Sequence, residues 1–252
     1  MLDNFIYVSS VNGASKHFIA TLITYLINDL SPDIDYESHN TSFSNFATYH
    51  NEFDNILDNV HTSRTVKWPP WKEINFSNTD TYKSLGFPGE GIPMYQDIIS
   101  DFPNFKVVVI TVDPADYKTV ELNHFWKQDP AFYLDQLGIE VIDHGVLISP
   151  DQASEYIDQY LEKGIPEYFK LTDPDACQNW YKRLPTNIRE RYFFINFADI
   201  ISDPETVISS LENITQKTFD DNMKKRYYHY VDLQIEYYKK YLPWHPILQK
   251  GQ

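Results

Sequence analysis

The run Phe105-Lys-Val-Val-Val-Ile-Thr-Val112 constrains the fold more than any other segment. Five of its residues are Val or Ile without polar alternation, so both sides of the segment require burial. A strand covered on both faces belongs to a parallel sheet flanked by helices. The N-terminus supports that class. Phe5–Ser10 (FIYVSS) reads as a short strand, and Phe18, Ile19, Leu22, Ile23, Leu26 and Ile27 then recur at helical spacing. Strand, loop and helix in that order make the first half of a parallel βαβ unit.

The rest of the chain continues the pattern. Asp113 before Pro114 predicts an N-cap and a helix to about Lys127. A helix from Pro150–Asp151 is expected to bury Ala153, Ile157, Tyr160 and Leu161. Arg191–Phe197 (RYFFINF) predicts a strand. Ser202-Asp-Pro-Glu205 has capping-box spacing and a proline near N1, opening a helix through Val207, Ile208 and Leu211. A long tyrosine-rich helix follows over 218–241. Residues 31–60 and 65–93 read as long irregular loops, with a short strand near Ile56–Arg64. Loops of that length carry binding function more often than mere connection. With 252 residues and no internal repeat or linker, the expectation is one α/β domain over 1–252.

The loop after the first strand holds the most informative charge. Lys16 is the one Lys or Arg among residues 1–63, a stretch with eight Asp and Glu. A cation in the first helical turn opposes the helix dipole. An anion held by the helix N-terminal N–H groups and neutralised by Lys16 resolves that conflict. Gly13 permits close backbone approach, and Ser10, Asn12, Ala14, Ser15 and His17 complete the candidate binding loop. Against the Walker A pattern, Ser10–His17 keeps only the lysine, so an ordinary βα turn with a surface lysine stays open.

SVNGASKHFIATLI resembles the phosphate-loop opening of P-loop sulfotransferases, with Gly13 on the loop glycine and Lys16 as the cation. VVVITVDPADYKTVELN is similar to that family's strand, R-x-P-x-D segment and helix. RYFFINFADIISDPETVISSLENI is similar to its C-terminal strand and helix. The resemblance implies a three-layer α/β/α P-loop-type fold with a central, mainly parallel sheet. It also implies sulfuryl transfer from 3′-phosphoadenosine 5′-phosphosulfate to a hydroxyl on a small molecule or sugar. Lys16 would be catalytic, and His61, after the second strand, would be the base. The family's 3′-phosphate-binding Arg and Ser fall at Val112 and Val120, where this chain has neither. Lys250-Gly251 matches only two residues of a further phosphate grip.

Other chemistry is thinner. Arg64, Trp68 and Trp71 form a candidate acceptor site, the KWPPW segment offering an aromatic platform. Val107–Asp113 also reads as a Walker B strand, which keeps a small-molecule kinase or NTPase open. A non-catalytic anion-binding module and an interaction protein remain as alternatives. Lys182, Arg183, Arg189 and Arg191 could close over phosphates as a lid. No metal-ligand spacing is present, and Cys177 is the one cysteine. A net charge of −15 disfavours nucleic acid as a partner. MLDNFIYVSS lacks the pattern of a secretory signal and no run of about 18 apolar residues occurs, so a cytoplasmic protein without membrane partners is expected.

Overall fold

The computed structural model describes residues 4–11, 13–27, 29, 64–68, 72–76, 84–89, 105–127, 130–139, 148–170 and 172–249. Strand β1 (Asn4–Ser9) leads to helix α1 (Lys16–Ile27). Strands β2 (Arg64–Trp68), β3 (Lys72–Phe76), β4 (Ser84–Gly89) and β5 (Lys106–Thr111) follow. A 3₁₀ turn over Pro114–Asp116 runs into α2 (Tyr117–Lys127). Then come α3 (Pro130–Leu137), α4 (Pro150–Glu162), α5 (Glu167–Lys170), α6 (Pro174–Tyr181) and α7 (Thr186–Arg189). Strand β6 (Tyr192–Asn196), α8 (Asp199–Ser202), α9 (Pro204–Thr215) and α10 (Asp221–Tyr241) complete the order before a 3₁₀ turn at Pro246–Gln249.

Among the described residues, the main sheet has four strands in the order β4-β1-β5-β6, each neighbouring pair parallel. Pairing of Val8 with Val108 and of Ile110 with Ile195 places these side chains, with Ile6, on one face. They share a buried cluster with Phe18, Ile19 and Leu22 of α1, Val207, Ile208 and Leu211 of α9, and Tyr227 and Tyr230 of α10. The other face carries Tyr7, Val107, Val109, Tyr192 and Phe194. Helix α6 covers it, Trp180 meeting Tyr192 with ring centroids 5.1 Å apart and Tyr181 meeting Phe194 at 5.3 Å. Helices on both faces of a parallel sheet make the three-layer α/β/α arrangement expected from Phe105–Val112. The predicted neighbours β1 and β5 do pair.

Several local expectations are corrected. Residues 65–93 are not irregular throughout: β2 and β3 form an antiparallel pair, and β4 joins the main sheet. The sequence SLGFPG lacks strand propensity, but β4 is an edge strand bonded through its backbone to β1. Glycine and proline are tolerated at an edge because one row of backbone groups needs no partner. Arg64 opens β2 rather than closing a strand from Ile56, and residues 56–63 lie outside those described. Asp113 occupies the N-cap position before Pro114, yet makes no side-chain cap bond; its Oδ2 accepts from Asn196 Nδ2 at 2.5 Å instead. The cap of α9 is Asp203, not Ser202, because Asp203 Oδ1 accepts from Thr206 N at 3.3 Å. Ser202 belongs to the short α8. In α4, Ala153 and Ile157 are buried as expected, while Tyr160 and Leu161 are half-buried.

Candidate functional site

Strand order sets the location. The chain leaves β1 through α1 towards β4 on one side, and leaves β5 towards β6 on the other. The connections therefore diverge between the carboxyl ends of β1 and β5, where open parallel sheets form their ligand crevice. The β1–α1 loop, Ser10–Ser15, occupies that point.

Several bonds fix its path. Ser10 Oγ donates to the Ile110 carbonyl at 3.2 Å, tying the loop to β5. Ala14 N donates to Val11 O at 3.4 Å and closes the turn. Gly13 takes φ +86°, and Ser15 takes φ +61° immediately before α1. Ser15 O then accepts from Ile19 N at 3.2 Å, the first turn of the helix. Two later helices clasp the loop. Asn123 Nδ2 of α2 donates to Gly13 O at 3.1 Å, and Tyr230 Oη of α10 donates to Ser15 Oγ at 2.6 Å. Tyr230 also stacks on Phe18, with centroids 3.6 Å apart.

Lys16 is the first residue of α1 and only 5 % exposed, in a helix whose first turn has no acidic residue. The alternative of a surface lysine on an ordinary βα turn does not hold, since Lys16 is buried beside a helix N-terminus. Ser10 and Ala14 are buried with it, and Gly13 and Ser15 are half-buried. His17 lies in the first turn of α1, with its side chain outside the described residues. Asn12, His61 and Trp71 lie outside them as well. Arg64 and Trp68 stand at opposite ends of β2, in register with Phe76 and Lys72. Nothing described brings them to the β1–α1 loop.

Val112 and Val120 are both buried in the apolar cluster. Val112 N donates to Thr172 O at 2.9 Å. The suggested basic lid is corrected by topology. Arg191 immediately precedes β6, and its Nη1 donates to Phe105 O at 3.1 Å, just before β5. Arg189 packs over the Tyr181 ring, 6.0 Å from its centroid. Arg189 and Arg191 therefore sit where parallel strands begin, at the end of the sheet opposite the loop.

The carboxyl ends of β5 and β6 carry acidic groups. Burial, followed by the charges of Asp113 and Asp199, pushes the Asp116 carboxyl up to about 6 from an ordinary 3.8. A raised carboxyl favours the folded state when protonated and loses that contribution as pH rises from about 4 through about 6. Asp116→Asn is expected to melt higher than the wild type above pH 6, with the difference fading below pH 4. Thermal melts of both proteins across this range check the sign. Among the described residues, no group of three or more His, Cys, Asp or Glu could hold a metal ion. Nor is any described helix long and apolar enough to cross a membrane.

A second polar cluster escaped sequence reading. Glu121 of α2 is 1 % exposed and accepts hydrogen bonds from Tyr133 Oη of α3 and Tyr168 Oη of α5. His124 Nδ1 lies 2.7 Å from Tyr133 Oη. The partners are separated by up to 47 positions and share no motif, so only packing of the helices reveals them. Glu121 between the apolar Val120 and Leu122 was the one available signal.

No family model matches the chain, and no curated protein matches it. One solved structure found to be similar is the sulfotransferase domain from the curacin biosynthetic pathway. The identity is 10 % and the TM-score 0.38, over 88 % of this chain and 77 % of that domain. A likeness at that level does not bear on activity, and the reading of the site rests on its own geometry.

Proposed function

We propose that the protein is a sulfotransferase-like enzyme that binds a phosphosulfate nucleotide at the β1–α1 loop and transfers its sulfuryl group to a hydroxyl acceptor. The observation that carries this reading is Lys16: a buried cation in the first turn of α1, at the divergence between β1 and β5. The helix N-terminus and the ammonium group both favour a bound anion. They would hold charge that develops on the oxygen bridging sulfur and the 5′-phosphate as that bond breaks. 3′-Phosphoadenosine 5′-phosphosulfate is the donor suggested by the sequence resemblance. Ser10, Asn12, Gly13, Ala14, Ser15 and His17 belong to the same binding segment. Arg64, Trp68 and Trp71 remain the proposed contacts to a small-molecule or sugar acceptor. His61 is the base implied by the resemblance.

Valines at 112 and 120 supply no charge or hydrogen-bonding side chain for a 3′-phosphate. Donor recognition should therefore depend chiefly on the 5′ end. Calorimetry with adenosine 3′,5′-bisphosphate and adenosine 5′-phosphosulfate tests this. Both should bind, and Lys16→Met should weaken each by about 1.5–3 kcal/mol, the range for a hydrogen bond to a charged group. Methionine is the right replacement because Lys16 is buried, and alanine would remove stem packing along with charge. Absence of binding to the wild type, or equal binding to Lys16→Met, overturns the reading.

A further inference from the structure

Helices α1 and α10 run antiparallel along one seam. Arg226 packs over the Tyr25 ring at 5.7 Å, and Tyr227 meets Phe18 with centroids 5.3 Å apart. Tyr230 stacks on Phe18 and donates to Ser15 Oγ. Each step towards the carboxyl end of α10 is thus a step towards the N-terminus of α1. Tyr238 lies two turns beyond Tyr230 and stands beside Asn123: burial raises its phenol, and the Asn123 amide opposes that rise. Asn123 in turn donates to Gly13 O.

Gln234 is bracketed by these two contacts. It is four residues from Tyr230 and four from Tyr238, on the stripe of α10 that those two share. One of them reaches Ser15 and the other leads to Gly13, so Gln234 stands level with the turn that enters Lys16. Its side chain is 0 % exposed, and among the described residues neither Nε2 nor Oε1 has a hydrogen-bond partner. Asn123 Oδ1 and Tyr238 Oη are buried without one as well.

A buried amide with both ends unpaired opposes folding, and an apolar side chain of the same shape would be the more stable choice. Glutamine at this place therefore needs a reason outside the unliganded fold. Nε2 offers two N–H donors beside the positive end of α1 and the buried Lys16. An oxyanion is the ligand that accepts from that amide, from an ammonium group and from the N–H groups of a first helical turn.

We propose that Gln234 is a direct ligand of an oxyanion, a sulfate or phosphate group, held at the N-terminus of α1, with Nε2 as the donor. Lys16 and Gln234 are both enclosed, so the ion enters as α10 parts from the loop. The place of Gln234 in sulfuryl transfer rests on the phosphosulfate reading above. There the oxyanion is the phosphosulfate end of the nucleotide, and Oε1 is left to accept from the acceptor hydroxyl.

Gln234→Met keeps the length of the side chain and its helix propensity while removing the amide. Without ligand it should melt about 2–4 °C above the wild type, because an unpaired buried group is gone. Equilibrium dialysis with radiolabelled sulfate should show binding to the wild type that is weakened roughly tenfold or more in Gln234→Met and in Lys16→Met. A lower melting temperature for Gln234→Met overturns the assignment, since the amide then serves the unliganded fold. Absence of sulfate binding to the wild type overturns it too. Calorimetry with adenosine 3′,5′-bisphosphate on the same three proteins separates the two readings. Loss of sulfate and nucleotide binding in Lys16→Met but not in Gln234→Met sinks the role of Gln234 alone. Sulfate binding that depends on both residues, with no binding of the nucleotide, sinks the phosphosulfate reading and supports Gln234 as an anion ligand.

Discussion

Gly13→Ala is expected to destabilise the protein by more than about 3 kcal/mol in the absence of any ligand. The first contribution is conformational: at φ +86° an L-residue incurs roughly 1–2 kcal/mol. The second is steric, since the new Cβ would stand 2.2 Å from the Val120 carbonyl oxygen. That atom is helical backbone and has no rotamer in which to escape, so α2 must move away. Movement would also strain the Asn123–Gly13 bond, worth about 0.5–1.5 kcal/mol. For a chain of this size the melting temperature should fall by roughly 6–12 °C. Gly138→Ala is the control, because Gly138 has φ +73° but no atom within 4 Å of its added Cβ. It should lose only the conformational part. A Gly13→Ala protein melting within about 1 °C of wild type would show that α2 does not close on the loop.

Tyr133→Phe should have the second-largest effect, about 1.5–3 kcal/mol near pH 8, because a buried carboxylate loses one of two donors. Burial raises the Glu121 carboxyl above its ordinary value, while the bonds from Tyr133 and Tyr168 oppose that rise. Ionisation of Glu121 thus costs stability as pH increases through its folded value. Removing Tyr133 Oη makes the ionised form harder to accommodate and raises the carboxyl further. The loss should therefore be largest at pH 8 and shrink towards pH 5. Urea unfolding of both proteins at the two pH values measures it. Glu121→Gln serves as the background. With glutamine at 121, the pH dependence of the Tyr133→Phe effect should largely disappear. A loss independent of pH in both backgrounds would assign the tyrosine a packing role only.

The β1–α1 loop is held at Gly13 by Asn123 of α2 and at Ser15 by Tyr230 of α10. His124, one residue beyond Asn123, belongs to a chain of side chains running through α3 and α5. Helix α2 thus joins both groups. Its Val120–His124 turn packs on Gly13, while Glu121 faces Tyr133.

By itself the sequence determined the elements whose burial imposes a local period. Phe105–Val112 had to be a central strand because continuous Val and Ile require cover on both faces. The stripe from Phe18 to Leu26 had to be a helix packed on one side, and Lys16 had to begin it. Tertiary structure decided what neighbours impose. β4 is a strand because β1 offers it a backbone edge, not because SLGFPG prefers extension. The loop that leads into the buried Lys16 is clasped by Asn123 of α2 and Tyr230 of α10, more than 100 positions away. Arg189 and Arg191 were legible as charge, but only the parallel topology puts them at the far end of the sheet. The His124–Tyr133–Glu121–Tyr168 chain spans three helices, and no periodicity within any one of them encodes a contact with the others. Short-range pattern records which face is apolar. Which groups meet across that face depends on how the chain is folded back upon itself.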